Sequence, residues 1–384
     1  MSKKVKIFVD AEVLIHPNFS GIGHYTLEIL RALDSLIASK PNIQITLGVY
    51  YRSTAKVHSY GFRNFKYRRS PFSLRTNNGL KIRNLQPFYD LLFGKHIYLF
   101  PNFTSWPLLF SKSIPIIYDL SYERFPKYAD PPNQVFLSNN VRKSIERADR
   151  ILSISKFSKK EISSFYKTKK KIDVLYPGID QSVFFRWPAE GVKKVKANYG
   201  IHGKYILYIG NLEPRKNLDM LLLAYSKLSK SLRDEYSLLL VGGFGWNSES
   251  IFKAIEKLRM EGNFIQMPSK YVSDRDRPAI LSGASLFVYP SKYEGFGIPP
   301  VEAMACGVPV ISSDNSSLPE AVGEAAKMIP AGSHTKLTLA MERVLTDKDL
   351  RQKMTVAGFK QADKFSWNES ARKLLDILED MGNE

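Results

Sequence analysis

The chain has 384 residues, of which 44% are hydrophobic, so it is long enough and apolar enough to fold as two globular domains. Its single cysteine, Cys306, excludes an internal disulfide and favours a reducing compartment, where it serves as a small packing side chain. The formal net charge of +19 points to an anionic partner.

The positive charge is concentrated in the first half of the chain. Residues 1–187 contain 30 lysines and arginines against 13 acidic residues, a balance of +17, whereas the remainder contains 26 against 24, a balance of +2. No acidic residue occurs between Asp34 and Asp90, and basic residues are interleaved there with tyrosines and phenylalanines. Such a segment suits a nucleic acid, an anionic membrane surface or a pyrophosphate-bearing lipid, unless it is only a solvated surface.

No stretch of the sequence predicts a secretion signal or a membrane span. Charged residues interrupt the first apolar stretch, residues 5–9, too early for a signal peptide. The longest apolar stretch, residues 97–110, is broken by two prolines and an asparagine and is shorter than the roughly 20 residues that a spanning helix needs. We therefore expect a cytoplasmic protein, for which the basic half suggests peripheral attachment to the inner face of the cell membrane.

The first half alternates predicted strands with predicted helices. A buried strand over 5–9 is followed by a glycine-containing loop over 18–23 and a helix over 22–38. Strands are then predicted over 43–51, 96–100, 114–118, 151–155 and 171–176, with helices over 134–148 and 157–167 and irregular or partly helical structure in the basic segment. Strands that alternate with helices indicate a parallel sheet.

Two places in this half have the setting of ligand-binding residues. Gly21 and Gly23 stand at the start of the first helix, where backbone amides can approach a phosphate, although glycines open many helices. Asp119 follows the strand over 114–118, and ligands of open α/β sheets bind beyond the carboxyl ends of the strands. Tyr118 either packs in the core or donates a hydrogen bond, and it would need a large pKa shift to act as a base.

A change of composition separates the two halves. Residues 184–198 combine Pro188, Gly191 and several lysines without an apolar period, which predicts an interdomain linker. We therefore expect an N-terminal domain over 1–187, a C-terminal domain over 188–365 and a terminal helix over 366–384. Ser366 is the expected N-cap of that helix and Trp367 its packing anchor.

The second half repeats the order of strand, loop and helix. A strand over 205–209 leads through a loop containing Asn211, Arg215 and Lys216 into a helix over 218–228. A guanidinium, an ammonium and free amides at a helix start can hold a diphosphate; the alternative is that both cations are only surface groups. Further strands are predicted over 236–241, 264–267, 284–289 and 308–312, with a glycine-rich loop over 242–246 and a helix over 273–282 capped by Ser273.

Two carboxylates flank a turn that glycines open. The turn follows the strand over 284–289 and contains Glu294, Gly295, Phe296 and Gly297. A helix predicted to begin at Pro299 carries Glu302 in its first turn. Glycine permits a positive φ or the close approach of a ligand, and a carboxylate accepts hydrogen bonds from the vicinal hydroxyls of a sugar or ribose. The alternative is that Glu302 only complements the helix dipole and Glu294 is solvated.

This turn and its flanks resemble the E-x7-E signature of the retaining glycosyltransferases of family 4, and the resemblance extends from Ser20 to Trp367. It implies the GT-B fold, an α/β architecture in which two Rossmann-like β/α/β domains face each other across a cleft and a C-terminal helix crosses back to the N-terminal domain. It also implies that the C-terminal domain holds a nucleotide sugar and the basic N-terminal domain holds an acceptor.

The resemblance assigns roles to individual residues. It implies that Glu302 binds the ribose of the donor nucleotide, that Glu294 binds hydroxyls of the donor sugar and that Lys216 grips the diphosphate. The expected donor-binding residues are Gly21, Gly23, Asn211, Arg215, Lys216, Glu294, Gly295, Phe296, Gly297 and Glu302. Asp119, Lys216 and Glu294 are the candidate catalytic residues, with Asp119 the only candidate nucleophile for a double displacement.

The sequence departs from the family pattern at two positions. Relatives usually have His-Asp-Leu where this chain has Tyr118, Asp119 and Leu120, so the usual histidine contact with the donor sugar is in doubt. Relatives often have an arginine where this chain has Asn211, and Arg215 is the residue that can take over its role.

The resemblance therefore implies a retaining hexosyltransferase of surface polysaccharide biosynthesis, with GDP-mannose as the favoured donor and a saccharide or lipid-linked saccharide as acceptor. We expect no cofactor and no metal, because cations and amides can neutralise the leaving diphosphate and no Asp-x-Asp triplet or His/Asp cluster points to a divalent cation. The alternatives are a nucleotide-sugar epimerase of the same fold and a basic nucleic-acid-binding protein. A Rossmann dehydrogenase is disfavoured, because no glycine loop has the G-x-G-x-x-G pattern.

Overall fold

The computed structural model describes residues 4–15, 21–50, 54–83, 85–243 and 245–384. The chain divides into two compact units. Unit 1 comprises the described residues up to Glu123 together with Pro131–Gly178 and Ser366–Glu384, and unit 2 comprises Arg124–Asp130 and Ile179–Phe365. Residues 179–187, which the sequence analysis assigned to the N-terminal domain, therefore lie in unit 2.

Unit 1 is built around a parallel sheet. Its strands are β1 (Val5–Asp10), β2 (Ile43–Val49), β3 (Lys66–Arg69), β4 (Ile97–Phe100), β5 (Lys112–Ile117), β6 (Arg150–Ser153) and β7 (Lys171–Val174). They form one seven-stranded sheet in the order β3-β2-β1-β4-β5-β6-β7, with every neighbouring pair parallel. The central strands β1 and β4 are buried almost throughout. Their sequences are apolar runs rather than alternating apolar and polar residues, because both faces of a parallel sheet are covered.

Helices connect these strands. Those of the first 178 residues are α1 (Gly21–Ile37), α2 (Thr54–His58), α3 (Leu74–Arg83), α4 (Tyr89–Phe93), α5 (Ser121–Arg124), α6 (Pro131–Arg147) and α7 (Lys156–Tyr166), with 3-10 turns at Glu12–Ile15 and Pro126–Tyr128. Gly21 is the first residue of α1 and Gly23 is buried in its first turn. Residues 18–20 of the predicted glycine loop lie outside the described residues.

Unit 2 repeats this plan. Its strands are β8 (Lys204–Ile209), β9 (Tyr236–Val241), β10 (Ile265–Gln266), β11 (Leu286–Tyr289), β12 (Val310–Ser313) and β13 (Lys327–Ile329). They form a six-stranded parallel sheet in the order β10-β9-β8-β11-β12-β13. Its helices are α8 (Ala189–Asn198), α9 (Leu218–Ser226), α10 (Lys230–Glu235), α11 (Glu249–Met260), α12 (Arg277–Ser282), α13 (Ile298–Ala305), α14 (Leu318–Val322), α15 (His334–Thr346) and α16 (Lys348–Ala362), with 3-10 turns at Pro214–Lys216 and Gly323–Ala325.

The two sheets confirm the predicted α/β class and parallel strand order. The sequence analysis missed β3 and β13. β3 is the edge strand of its sheet, and its four residues Lys66–Arg69 are mostly exposed and basic, so they carry no apolar pattern. β13 is an edge strand of only three residues. None of the described helices combines the length and the hydrophobicity that crossing a membrane requires.

A buried ionic cluster ties α3 to the carboxyl ends of β1 and β2. The ammonium of Lys81 on α3 pairs with the carboxylate of Glu12, and both side chains are buried. Asn77, one turn earlier on α3, donates from Nδ2 to the Tyr50 hydroxyl over 2.8 Å, and that hydroxyl reaches Asp10 Oδ1 over 3.4 Å. Burial, together with the charge of Glu12, raises the pKa of Asp10 to about 6. The cluster therefore fixes which side of α3 faces inward.

The last helix of the chain, α17 (Trp367–Asn383), belongs to unit 1 and packs on α1. The indole of Trp367 meets the ring of Tyr25 on α1 edge to face, with the ring centroids 5.3 Å apart. The Ser370 hydroxyl donates to the Tyr176 carbonyl over 2.6 Å. Gly178 lies against the start of α17, and a Cβ there would be 2.1 Å from the Trp367 amide nitrogen and 2.6 Å from its Cγ. A side chain at position 178 would therefore push the helix away.

We expect Gly178→Ala to lower the free energy of unfolding by about 2 kcal/mol, because the added methyl group meets backbone that cannot rotate aside. Gly332→Ala is the matched control, since no heavy atom lies within 4 Å of the position its Cβ would take. Urea unfolding followed by tryptophan fluorescence measures both variants. Equal stabilities for the two would show that the contact between Gly178 and Trp367 does not matter.

Candidate functional site

Three loops of unit 2 meet at the carboxyl edge of its sheet. The loop over 210–217 follows β8, the loop over 242–248 follows β9, and the loop over 290–297 follows β11. β8 lies between β9 and β11, and all three strands are parallel, so their carboxyl ends point the same way. This is the edge at which open α/β sheets bind their ligands.

A buried ion pair joins the first of these loops to the third. Lys216 Nζ lies 2.6 Å from Glu294 Oε1 and 3.1 Å from the hydroxyl oxygen of Tyr289, the last residue of β11. The side chains of Lys216 and Glu294 are only 10% and 9% exposed. The structure therefore brings together two of the predicted site residues that are 78 positions apart in sequence.

Arg215 adds a second cation to the same carboxylate. Its Nη1 donates to the Tyr293 carbonyl over 2.7 Å and lies 3.3 Å from Glu294 Oε2, while its Nη2 donates to Glu213 Oε1 over 2.7 Å. The Lys292 amide donates to the Arg215 carbonyl over 2.9 Å, so the backbones of the two loops are also connected. The guanidinium is thus held in one orientation by three acceptors.

Electrostatics keep the Glu294 carboxyl ionised. Burial by itself would raise its pKa, but the charges of Lys216 and Arg215 outweigh that effect and lower the pKa of Glu294 to about 2. Burial and the neighbouring Arg215 lower the pKa of Lys216, against the opposing influence of Glu294. A further anion beside the ammonium would raise the pKa of Lys216 and favour its charged form.

The turn after Glu294 depends on one glycine conformation. Gly297 has φ 104°, and a Cβ there would lie 2.6 Å from Leu318 Cδ2, so position 297 requires glycine. The Ser317 hydroxyl lies within hydrogen-bond distance of the carbonyls of both Glu294 and Phe296, at 2.8 and 3.0 Å. The Phe296 side chain is buried and packs edge to face on Phe365, so at this turn it can offer a ligand only its backbone.

Glu302 has a different environment from the predicted one. α13 begins at Ile298, so Glu302 lies beyond its first turn, and the expectation of a first-turn carboxylate is wrong. Its partner is Arg277, whose Nη2 donates to Glu302 Oε1 over 3.1 Å and whose Nη1 lies 3.3 Å from Asp274 Oδ1. Burial raises the pKa of Glu302, with a smaller contribution from Asp274, and Arg277 opposes the shift.

A cavity of about 430 Å³ lies beside these groups. Its lining includes the glycines and Asn211 that follow β8 and β9, and Tyr271, Asp274 and Arg277 on the opposite side. Gly242, with φ 155°, touches the loop after β8 so closely that a Cβ would be 2.0 Å from the Gly210 carbonyl oxygen. The loop over 210–217 thus borders the cavity at Asn211 and carries the cations at Arg215 and Lys216.

The sequence analysis missed the residues on the far side of the cavity. The predicted helix over 273–282 is present and ends at Ser282, but its predicted start was wrong. α12 begins at Arg277, and Ser273 caps the preceding turn, where the Asp276 amide donates to its hydroxyl over 3.2 Å. The signals that were available are the alternating charges of residues 274–277 after β10 and the tyrosine at 271, whose side chain is 81% exposed.

The candidate residues of unit 1 have structural partners. Asp119 is half-buried, and its Oδ1 accepts the Ser121 amide at the start of α5 over 2.8 Å. The Tyr118 side chain is buried, its hydroxyl donates to the Pro101 carbonyl over 3.1 Å, and its ring meets Tyr25 edge to face. Of the two interpretations of Tyr118, core packing is the one that these contacts support.

The chain was compared with known proteins. The family model "Glycosyl transferases group 1" matches residues 193–361. The O-antigen chain mannosyltransferase B of Escherichia coli is 31% identical over 372 residues, which cover 94% of this chain and 96% of that protein. Sucrose-phosphate synthase of Thermosynechococcus elongatus has a similar structure, with a TM-score of 0.72 at 15% identity over 99% of both chains. The Anabaena HepE structure in complex with UDP-glucose has a TM-score of 0.71 at 15% identity, over 98% of this chain and 99% of that chain.

The pKa of Glu294 leads to a stability prediction. The pKa of this carboxyl is 4.5 without its partners and about 2 in the folded protein. The ion pairs of Glu294 therefore stabilise the fold fully above pH 4.5, and this stabilisation is lost as the pH falls towards 2. We expect Glu294→Gln to lose about 3 kcal/mol of unfolding free energy at neutral pH and progressively less as the solution is acidified. Urea unfolding of both proteins at several pH values measures the difference.

Glu235→Gln is the control, because Glu235 pairs with Lys204 on the exposed surface of unit 2 over 2.6 Å. Removing this exposed ion pair should change the free energy of unfolding far less, since water screens exposed pairs. A difference between wild type and Glu294→Gln that stays constant with pH would contradict the assigned ionisation.

Proposed function

The chain belongs to the glycosyl transferases of group 1, and from that premise we propose that it transfers a hexosyl unit from a nucleotide sugar to a saccharide or lipid-linked saccharide. The observation that carries the proposal is the ion-paired group of Arg215, Lys216 and Glu294, whose two cations follow the cavity-lining Asn211 on the same loop. Preorganised cations next to a cavity suit a substrate that has a nucleoside at one end and a diphosphate at the other.

In this proposal the cavity takes the nucleoside. Asn211 and the glycines after β8 and β9 allow close approach of the ligand to the backbone. Arg277 lines the cavity and pairs with Glu302, and we propose that this pair supplies the polar end that a ribose requires. Tyr271 offers an exposed aromatic ring beside the cavity for a base. The favoured base is guanine and the favoured sugar is mannose, and the similarity to a mannosyltransferase along 94% of this chain supports the sugar.

The diphosphate is proposed to bind beside Lys216 and Arg215. The charges of these cations are balanced by Glu213 and Glu294, so a diphosphate has to share their N–H donors with these carboxylates. The positive end of the α13 dipole and the amides of the turn over 295–298 supply additional stabilisation. Glu294 stays paired with both cations, and its carboxylate oxygens also accept hydrogen bonds from the donor sugar.

We propose that transfer proceeds with retention and without a metal ion. The bond between the anomeric carbon and the diphosphate breaks, the acceptor oxygen bonds to that carbon on the same face, and the acceptor proton passes to the departing phosphate oxygen. The charge that develops on the diphosphate is stabilised by Lys216 and Arg215, which are already held in place. The acceptor is proposed to be part of a growing surface polysaccharide, elongated in the cytoplasm at the inner face of the membrane.

A thermal-shift panel tests the donor. We expect GDP-mannose, at concentrations well above its dissociation constant, to raise the melting temperature of the wild type by several degrees, and UDP, dTDP and ADP sugars to do so less. Lys216→Ala should lose most of this shift because the diphosphate loses its ammonium. Lys227→Ala, which removes an exposed lysine at the C-terminal end of α9, should keep it. Equal shifts in both variants would rule out the assigned diphosphate site.

The reaction itself is tested with GDP-mannose and a mannose-containing saccharide acceptor. We expect a new glycosidic bond in which the anomeric configuration of the donor is kept, and turnover that persists in the presence of EDTA. Nuclear magnetic resonance of the product determines the configuration. Inversion of the anomeric centre, or activity that EDTA abolishes and a divalent cation restores, would refute this part of the proposal. Donor incubated alone should keep its sugar unchanged, which separates transfer from epimerisation.

A further inference from the structure

Exposed apolar side chains concentrate in one part of unit 1. The described residues include sixteen large apolar side chains that are exposed, and six of them fall between positions 82 and 110. These six are Ile82, Leu85, Phe88, Leu91, Leu109 and Phe110, with exposures from 42% to 69%. Isolated exposed apolar residues are ordinary, but a group of this kind marks an interaction surface.

Backbone contacts place four of these residues on adjoining segments, and Ile82 and Leu85 precede those segments along the chain. The Tyr89 amide at the start of α4 donates to the Pro107 carbonyl over 2.9 Å. The carboxylate of Asp90, which is fully buried, accepts the amides of Leu109 and Phe110 over 2.9 and 2.8 Å. The segment over 88–91 and the segment over 107–110 therefore lie side by side.

The folding of unit 1 already uses the other side of these segments. Leu92, Phe93 and Leu108 pack inward against the aromatic core that contains Tyr89 and Trp106. Their neighbours Leu91 and Leu109 are directed outward, at 60% and 59% exposure. A segment that is apolar on both sides packs one side in its own core and leaves the other side for a second apolar partner.

The charges around this surface have one sign. Arg75, Arg83 and Lys95 are exposed, and none of them forms an ion pair with a described residue. Arg75 and Ile82 are seven residues apart on α3, so they share one side of that helix. A different side of α3, which carries Lys81, is held down by the buried pair of Lys81 and Glu12. The nearest acidic residue along the chain, Asp90, is buried and occupied.

We propose that this surface, the six apolar side chains flanked by Arg75, Arg83 and Lys95, rests on an anionic lipid bilayer. Aliphatic side chains enter the boundary between head groups and acyl chains, while the cations contact lipid phosphates. The inference deepens the proposed function, because a lipid-linked acceptor is presented at such a surface. A nucleic acid would leave Ile82, Leu85 and Leu91 against polar groups, and a second copy of this chain would bring two positive surfaces together.

Vesicle sedimentation of the full chain, without any sugar donor, tests the proposal. We expect binding to vesicles of phosphatidylglycerol and phosphatidylcholine, weaker binding at high salt, and little binding to phosphatidylcholine alone. The triple variant Ile82→Ser, Leu85→Ser and Leu91→Ser should bind about tenfold more weakly or less, because it loses apolar area that enters the bilayer. The control is Leu339→Ser with Val356→Ser, two residues of unit 2 that are 60% and 51% exposed.

A second comparison separates this surface from the other basic region of unit 1. A groove of about 700 Å³ beside α7 is lined by Lys159, Lys160 and Lys373. If replacing these three lysines by alanine abolishes vesicle binding while the triple serine variant still binds, the assignment is wrong. Pyrophosphate that removes the protein from vesicles when sodium chloride of the same ionic strength does not would also overturn it, because the ligand would then be a phosphate group rather than a bilayer.

Three further outcomes of the binding experiments would also contradict the proposed bilayer contact. Equal binding to both vesicle types, binding to RNA or duplex DNA but not to vesicles, or a dimer in solution that the serine variant converts to a monomer would each overturn the proposal. Circular dichroism melting verifies that the variants fold. Should the serine variant unfold, Arg75→Gln with Arg83→Gln, both on exposed positions, should still weaken binding to anionic vesicles. Because no donor is used, failure here leaves the proposed transfer reaction untouched.

Discussion

The buried ion pair between Lys216 and Glu294 is the interaction on which the candidate site depends. The two charges lie 2.6 Å apart with little access to solvent, so each would be costly to bury without the other. In general, replacing both partners of a buried ion pair by apolar residues of similar size does not lower the stability of a fold. What the pair provides is therefore a fixed relation between the loop after β8 and the loop after β11, which are adjacent strands of one parallel sheet.

Arg215 adds a second cation to this pair, and its guanidinium is held in one orientation. It contacts Glu213 on its own loop and both Tyr293 and Glu294 on the other, so its guanidinium cannot turn without breaking several hydrogen bonds. Positive groups that are oriented before a ligand arrives do not have to reorganise when charge develops on it. For the proposed donor, the same contacts that hold the unliganded loops together orient the groups that would stabilise a leaving diphosphate.

Much of this site could be predicted from the sequence, because its parts are local patterns. Glycines after apolar runs, cations before a helix and the spacing of Glu294 and Glu302 are visible along the chain. The partner of Glu302 was not visible: Arg277 is 25 positions away, and only the packing of α12 near α13 brings the two together. The start of α13 also shifted because Gly297, in a left-handed conformation, lets the helix begin at Ile298 before the two prolines. The role of Tyr118 could not be decided from sequence, since the Pro101 carbonyl that accepts the hydrogen bond of its hydroxyl follows a different strand.

Asn211 stands where the family resemblance leads us to expect an arginine, and its surroundings differ from those of Arg215. Asn211 lines the cavity next to Gly210, whose carbonyl is in contact with Gly242, so its side chain contributes to the polar wall of the cavity. The same loop carries the guanidinium of Arg215 four residues further on, fixed by Glu213 and Glu294. That Arg215 takes over the role of the expected arginine stays a prediction. A cation at 211 would lack these carboxylates and would depend on the ligand for compensation, whereas Arg215 is oriented before any ligand binds.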